Sequence, residues 1–250
     1  MEAQNLFTPT SSLSTFFSMF LLIYLFAYFV VFRNWGPKHI AEASSCLISL
    51  AHGTPAFLLA INALTKSQLP LSSFASPNTN SQNIVLDYSI AYFLIDLLHY
   101  VVFFPSDVLF IFHHLATLYV FVTCRFVVHH GASALLVLLV LAEITSLCQN
   151  VWTLASFRKA DTPAASKLYE YLSPRFYAFY SVFRGFLGPL FVLKMGIFFI
   201  SGAADTLIPR WAWISWMVVI TTAIFVSIVW VLNHWIEWFR ERSRVQKKVA

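Results

Sequence analysis

The fold is decided by the stretch LDYSIAYFLIDLLHYVVFFPSDVLFIFHHLAT, which runs from Leu86 to Thr117. It predicts two long apolar helices joined by a tight turn, which begins at Pro105 and ends at Asp107, a good N-cap for the second helix. So short a connection makes the two helices antiparallel neighbours. At about 1.5 Å per residue, His99 and the His113-His114 pair lie at about the same depth, roughly 9–10 Å from the turn. We therefore expect imidazoles of the two helices to meet.

Polar side chains interrupt the first of these helices in a regular pattern. Ser89, Tyr92, Asp96 and His99 follow one another at spacings of three and four, which places them on one helix face. An ionisable side chain within a bilayer costs about 2.5–3.5 kcal/mol on insertion scales, so such groups usually face the protein interior or a watery cavity. The pattern predicts a polar inner face and a lipid-facing remainder.

The whole chain of 250 residues shares this apolar character, with 59% hydrophobic residues, 11% charged residues and a mean hydropathy of +0.72. Soluble domains carry about 25% charged residues. Apolar stretches long enough to cross a bilayer occur at 14–33, 42–64, 84–104, 108–127, 131–155, 171–199 and 211–236. We predict an all-α polytopic membrane protein with seven transmembrane helices and no separate soluble domain. No basic patch with interleaved aromatic side chains indicates nucleic-acid binding.

The distribution of cations predicts the orientation of these helices. The segments that follow odd-numbered spans lie on one side of the membrane, and those that follow even-numbered spans lie on the other. The second side has only Lys66, Arg125 and Arg210. The first side has ten of the sixteen cations: Arg33, Lys38, Arg158, Lys159, Lys167, Arg240, Arg242, Arg244, Lys247 and Lys248. The positive-inside rule then predicts a lumenal N-terminus and a cytosolic C-terminus, with the Pro105 turn towards the cytosol. The Lys247-Lys248 ending resembles a dilysine retrieval signal of the endoplasmic reticulum. It is also typical of a basic anchor to anionic lipid.

The two histidine sites are the candidate catalytic residues. An imidazole in a low-dielectric pocket can act as a general base or as a nucleophile, which makes His113 and His114 the first candidates. Asp96, one turn from His99, could fix an imidazole tautomer and stabilise its charged form. The alternative is that these histidines only hydrogen-bond neighbouring helices. The pattern does not decide which of His113 and His114 faces a cavity.

The histidine spacing does not favour a metal site. No two of the eight histidines are four residues apart, and the only pairs are adjacent in sequence. Adjacent side chains on a helix diverge by about 100° and do not readily chelate one ion. We expect no metal and no bound cofactor.

Other polar residues of the spans are candidates for substrate binding. Glu143 and Arg184 lie near the midplane of neighbouring spans, where a buried ion pair is the simplest interpretation. Alternatively, Arg184 receives a phosphate or carboxylate of a ligand. Asn150 lies at the depth of His99 and His113, where it could orient a histidine or a substrate, although such residues often connect helices. Two more candidates for substrate binding are Tyr92 and Thr117.

The pattern Asp96-x-x-His99, Asp107, His113-His114-x-x-Thr117, then Glu143 and Asn150, resembles the TLC-domain family, which includes ceramide synthases and translocon-associated proteins. The resemblance implies a first helix in residues 1–41, a six-helix TLC barrel around a lipid tunnel in residues 42–240, and a basic cytosolic tail in 241–250. It also implies a histidine that takes part in acyl transfer from acyl-CoA. Where ceramide synthases have a downstream His-Asp pair, residues 141–146 read LAEITS. This difference favours the small TLC-domain proteins of lipid homeostasis.

Two functions follow as hypotheses. The first is acyl-CoA-dependent acyl transfer to a membrane lipid in the endoplasmic reticulum, with His113 or His114 as base or nucleophile and with Asp96 and His99 in support. The second is a non-catalytic lipid-binding protein that regulates membrane composition. A seven-span receptor fits only the number of spans. The sequence leaves open which lipid is bound and whether the chain forms a homodimer.

Overall fold

The computed structural model describes residues 9–67 and 74–249, and these residues form helices and connecting turns with no β-strand. Seven helical segments are long and apolar enough to cross a membrane, which confirms the predicted all-α fold and the number of spans. These spans are Ser12–Val31, Pro37–Lys66, Asn80–Phe103, Val108–Val128, Ala132–Arg158, Pro163–Ile200 and Arg210–Arg240. Residues 1–8, in the region 1–41 predicted to contain the first helix, and residues 68–73, between the second and third predicted spans, lie outside the described residues.

The first two spans contain α1 (Pro9–Phe26), which ends in a wide π turn at Ala27–Val31, and α2 (Pro37–Lys66). Pro55 lies inside α2 and has no N–H to donate to the carbonyl of Ala51 one turn earlier. The hydroxyl of Tyr88, on the next helix, donates to that carbonyl at 2.7 Å. A neighbouring helix thus satisfies the backbone group that proline leaves free, as membrane interiors require.

The predicted hairpin is present as α3 (Asn80–Phe103) and α4 (Val108–Val122), with Pro105 in the turn. A capping box begins α3, in which Thr79 accepts the backbone N–H of Gln82 and the Gln82 side chain accepts that of Thr79. Asp107 occupies the predicted N-cap position of α4, although its side chain makes no capping hydrogen bond.

A π turn at Thr123–Val128 extends α4, and α5 (Ala132–Glu143) follows after His129, which has a positive φ of 58°. The side chain of Asn78 connects the two helices, because it donates to the carbonyl of Cys124 at 3.0 Å and accepts the N–H of Ala132 at 2.9 Å. The end of α4 and the start of α5 are therefore fixed to the segment that precedes α3.

The fifth and sixth spans are interrupted helices. The fifth consists of α5 and α6 (Ser146–Arg158), separated by a break at residues 144–145. The sixth consists of α7 (Pro163–Tyr180), a π turn at Ser181–Leu187 and α8 (Gly188–Ile200). Pro189 lies two residues after this π turn. Proline has no N–H to donate to the carbonyl four residues earlier, and its ring would clash with that carbonyl in a regular α-helix. Both interruptions adjoin the cavity described below.

The last helix, α9, runs from Arg210 to Val249 and is longer than the predicted span 211–236. The backbone of the basic tail predicted at 241–250 therefore continues this helix, as far as the described residues reach. The side chains of the dilysine pair lie outside the described residues.

The hairpin helix α3 is the centre of the fold. In the most apolar 18-residue part of this helix 67% of the residues are buried, whereas in the corresponding parts of the first and last spans only 17% are buried. Helix α1 packs mainly against α3, and α2 packs against α1, α3, α5 and α6. The six spans from α2 to α9 line a partly open cavity, and α1 contributes no residue to its lining. This arrangement matches the predicted six-helix barrel with one added helix.

Candidate functional site

The hairpin places Asp96 of α3 directly against His114 of α4. Atom Nε2 of His114 lies 2.8 Å from Oδ2 of Asp96, and both residues are buried. Ser45 of α2 donates to Oδ1 of the same carboxylate at 2.6 Å, and Tyr92 donates to Oδ2 at 3.2 Å. Three helices thus converge on one carboxylate, which is the polar centre that the sequence pattern predicts.

Both ring nitrogens of His114 are engaged in hydrogen bonds. Atom Nδ1 lies 2.7 Å from the carbonyl oxygen of Phe110, which can only accept, so Nδ1 carries a proton. Atom Nε2 either donates to an ionised Asp96 or accepts from a protonated one. In both states no lone pair is left for a substrate, so His114 is suited to holding Asp96 and the helices together.

His99 lies one turn from Asp96 on the same helix, but the hydrogen-bond partner of its ring is on α1. Its Nδ1 lies 2.8 Å from the hydroxyl of Tyr24 in α1, and its ring packs against Tyr100, Phe103 and Phe104. His99 is not among the residues that line the described cavities. His99 therefore does not share a described chamber with His113 and His114, and the supporting catalytic role of His99 stays a prediction.

A polar chamber of about 400 Å³ opens beside the Asp96–His114 pair. Its volume is in the usual range for a small-molecule site. The polar groups of its lining come from all six spans that surround the cavity and include Ser45, Ser49, Tyr92, Asp96, His113, His114, Glu143, Ser146, Asn150, Arg184 and Ser227.

An apolar chamber of about 160 Å³ continues from the polar chamber, away from the Pro105 turn. Leucine, valine, isoleucine and phenylalanine side chains form most of its wall, and Thr117 lies in it with its hydroxyl bonded to the carbonyl of His113 at 2.9 Å. Six residues line both chambers: Phe93, His113, Glu143, Arg184, Ala223 and Ser227. The combined space is amphipathic, with three ionisable side chains at its junction.

His113 lies at the junction of the two chambers, whereas His114 lines only the polar chamber and uses both ring nitrogens in hydrogen bonds. The two rings are perpendicular, with centroids 5.6 Å apart, as expected for adjacent residues on a helix. Within the described part of the chain, no hydrogen bond engages the ring of His113, which is exposed to the cavity. Of the predicted catalytic histidines, His113 is the one with ring nitrogens open to a ligand.

Glu143 lies where the fifth span breaks. Its carboxylate is 3.9 Å from Nδ1 of His52, and a Cβ added at Gly53 would lie 2.8 Å from it and 2.5 Å from the hydroxyl of Ser146. A side chain at position 53 would therefore force Glu143 and Ser146 to move. The absence of a side chain at Gly53 therefore makes room for Glu143, and the break in the helix turns Glu143 and Ser146 into the polar chamber.

The predicted ion pair between Glu143 and Arg184 is wrong. Atom Nη2 of Arg184 donates instead to the carbonyl of Ala142 at 3.0 Å, and its guanidinium lies 5.0 Å from the ring centroid of Tyr180. In the described residues no carboxylate lies within 4 Å of it, and its Nε has no hydrogen-bond partner. The helix break explains the difference, because it leaves a carbonyl of α5 open to the arginine.

Asn150 faces the polar chamber and also connects helices. Its Nδ2 donates to the hydroxyl of Ser49 at 2.9 Å and to the carbonyl of Ser146 at 2.9 Å. Both predicted roles, positioning a ligand and holding helices together, are compatible with this placement.

Sequence reasoning missed the contribution of α2 to the site. Ser45, Ser49 and His52 follow at spacings of four and three, the same signal that identified the polar face of α3. The ring of His52 stacks on Tyr92 with centroids 4.1 Å apart, and its Nε2 lies 3.1 Å from the hydroxyl of Ser89. These polar residues of α2 face those of α3 across one interface.

Comparisons with known proteins agree with this architecture. The TLC domain family matches residues 42–235. The chain is 60% identical over 243 residues, which cover 95% of each chain, to a protein of Arabidopsis thaliana named as a TLC domain-containing protein. No solved structure matches the chain. This multi-pass membrane protein belongs to the TLC-domain family.

Proposed function

We propose that the protein transfers an acyl group from acyl-CoA to a membrane lipid in the endoplasmic reticulum, with His113 as the general base. The observation that carries the proposal is the position of His113, whose ring has no hydrogen-bond partner among the described residues and lies where a polar and an apolar chamber join. A lipid needs both kinds of space, and a base must reach the proton that it removes.

The transfer is balanced without a further reactant. His113 takes the proton from a hydroxyl or amine of the acceptor while that oxygen or nitrogen forms a bond to the thioester carbonyl carbon. The carbon–sulfur bond then breaks, and the CoA thiolate takes the proton from the imidazolium. Asp96 and His114 act as positioning residues, because they fix α4 and thereby the orientation of the adjacent His113.

Replacing His113 with alanine is expected to reduce acyl transfer by about 100-fold or more, the usual contribution of a general base. The test incubates the purified full-length protein with isotope-labelled acyl-CoA and extracted microsomal lipids, and detects products by mass spectrometry. His39→Ala is a matched control, since His39 lies outside both chambers and contacts Glu42 and Phe157. Undiminished product formation by His113→Ala would exclude the proposed base.

The second candidate is a non-catalytic lipid-binding protein. It is favoured by one observation: Asp96 is engaged by His114, and no carboxylate of the residues that the structure describes is hydrogen-bonded to His113. In this case the purified protein would carry lipid in its chambers, and the same assay with wild-type protein would give no labelled product from any acceptor.

The proposal places the Pro105 turn and the polar chamber on the cytosolic side, where acyl-CoA is available. Arg125 lies inside the fourth span, where it is buried and paired with Asp87 of the third span. It therefore no longer counts as a lumenal cation, and the difference in positive charge between the two sides of the membrane increases. Cations following the odd-numbered spans remain the basis for this orientation.

A membrane-impermeant maleimide is expected to label Ser106→Cys in sealed microsomes and to label Thr206→Cys only after detergent is added. Both positions are exposed, the first in the Pro105 turn and the second between α8 and α9, on opposite sides of the membrane. The wild-type protein, in which Cys46 and Cys124 are buried and Cys148 is partly buried, gives the background. The reverse labelling pattern would invert the proposed topology.

A further inference from the structure

The arginine at the junction of the two chambers makes no direct ion pair with a carboxylate among the described residues. Arg184 has five N–H groups, of which one donates to the carbonyl of Ala142. Its Nε is buried without a partner, and among the described residues no carboxylate lies within 4 Å of its guanidinium. A cation in a largely apolar cavity is costly unless an anion accompanies it.

The nearest acidic group does not supply that anion. Glu143 lies at the same junction, but its carboxylate is directed towards His52 and Gly53, on the α2 side of the chamber. The π turn at Ser181–Leu187 instead presents Arg184 to the open space, over the face of Tyr180. Its planar fork is suited to a phosphate or a carboxylate, which it can bind with two parallel hydrogen bonds.

The apolar chamber determines what must be attached to this anion. It begins at Arg184 and His113 and is walled by side chains such as Leu135, Leu139 and Ile220. We infer that the site binds an amphiphile whose phosphate or carboxylate lies against Arg184 and whose acyl chain occupies the apolar chamber. The inference rests on the proposed function for the use of the chambers, and it gives the lipid its chemical class.

The test measures binding of three ligands with the same oleoyl chain to the purified full-length protein in a non-ionic detergent, by native mass spectrometry. Oleoyl lysophosphatidic acid supplies a phosphate, oleate a carboxylate, and monooleoylglycerol no charge. One of the two anionic ligands is expected to bind about 10- to 100-fold more tightly than the neutral one, as charged hydrogen bonds predict. The one preferred distinguishes a phosphate site from a carboxylate site.

Variants assign the preference to Arg184. Arg184→Gln is expected to bind all three ligands with the affinity of the neutral one, and Arg184→Lys to keep only part of the preference, because lysine lacks the planar fork. Glu143→Gln removes a neighbouring negative charge and is expected to strengthen anion binding. Equal binding of the three ligands by the wild-type protein would overturn the inference, as would an unchanged preference in both Arg184 variants.

One further variant separates this inference from the proposed function. His113→Ala is expected to retain the preference for the anionic ligand while it loses acyl transfer. Anion-selective binding without any acyl transfer by the wild-type protein would overturn the proposed function alone. Acyl transfer without anion selectivity would overturn only the inference about Arg184.

Discussion

Replacing Asp96 with alanine is expected to destabilise the protein by about 3–5 kcal/mol, the usual effect of removing one partner of a buried charged pair. The change leaves His114 without the group that its Nε2 contacts at 2.8 Å. It also leaves the hydroxyls of Ser45 and Tyr92 without their acceptor. In a chain of this size we expect the unfolding temperature to fall by roughly 10 °C.

The measurement is thermal unfolding in detergent, followed by tryptophan fluorescence, with half-lives compared at one temperature if unfolding is irreversible. Asp96→Asn is the matched control, with a smaller expected loss of stability. Its amide can donate to Nε2 of a neutral His114, while the Nδ1–H of that ring still donates to the carbonyl of Phe110. The double variant Asp96→Ala, His114→Ala should be less destabilised than the sum of the two single variants. Strict additivity would show that the pair is not coupled.

The same experiment separates the roles of the two adjacent histidines. His114→Ala leaves the Asp96 carboxylate without its imidazole partner in the interior, so it should unfold at a temperature as low as Asp96→Ala. His113→Ala removes a ring that faces the cavity and should unfold close to the wild type. Equal destabilisation by the two histidine variants would contradict the assignment of His114 to structure and of His113 to the ligand.

The sequence was sufficient to predict the fold because the membrane reduces the choice of structure. Apolar stretches of spanning length must become helices, since the bilayer core offers no other partner for backbone N–H and carbonyl groups. The periodicity of α3 then identified the polar face that carries Asp96 and Tyr92, and the short Pro105 turn predicted that the His113-His114 pair approaches this helix without deciding which histidine contacts it. Each of these predictions depends on local spacing, which a sequence contains directly.

The details that could not be predicted depend on where other helices approach. His99 lies on the same face of α3 as Asp96, yet its ring is hydrogen-bonded to Tyr24 of α1 and does not line the cavity. Arg184 and Glu143 lie at similar depth, but the break between α5 and α6 gives the arginine a backbone acceptor and removes the need for direct contact. Periodicity assigns a residue to a face, whereas the partner on that face is fixed by tertiary packing.

A second buried charge pair, between Asp87 and Arg125, lies at the other end of α3. Atom Nε of Arg125 is 2.8 Å from Oδ1 of Asp87, and Ser12 of α1 donates to Oδ2 at 2.7 Å. The arginine belongs to the π turn Thr123–Val128, so the carboxylate joins α1, α3 and the end of the fourth span. This cluster is remote from His113 and lines neither described chamber.

Replacing either member of this pair with alanine is expected to cost about 3–5 kcal/mol, because the remaining charge has no protein partner of opposite sign in the apolar interior. The double variant Asp87→Leu, Arg125→Met keeps a similar volume without charge, and we expect its stability to return to within about 1 kcal/mol of the wild type. Thermal unfolding of the four proteins in one detergent measures both effects. A double variant as unstable as the single ones would mean that the pair contributes through its specific hydrogen bonds to α1. Recovery would instead show that the fold requires neutrality at this position, which is the condition that the proposed anionic ligand would meet at Arg184.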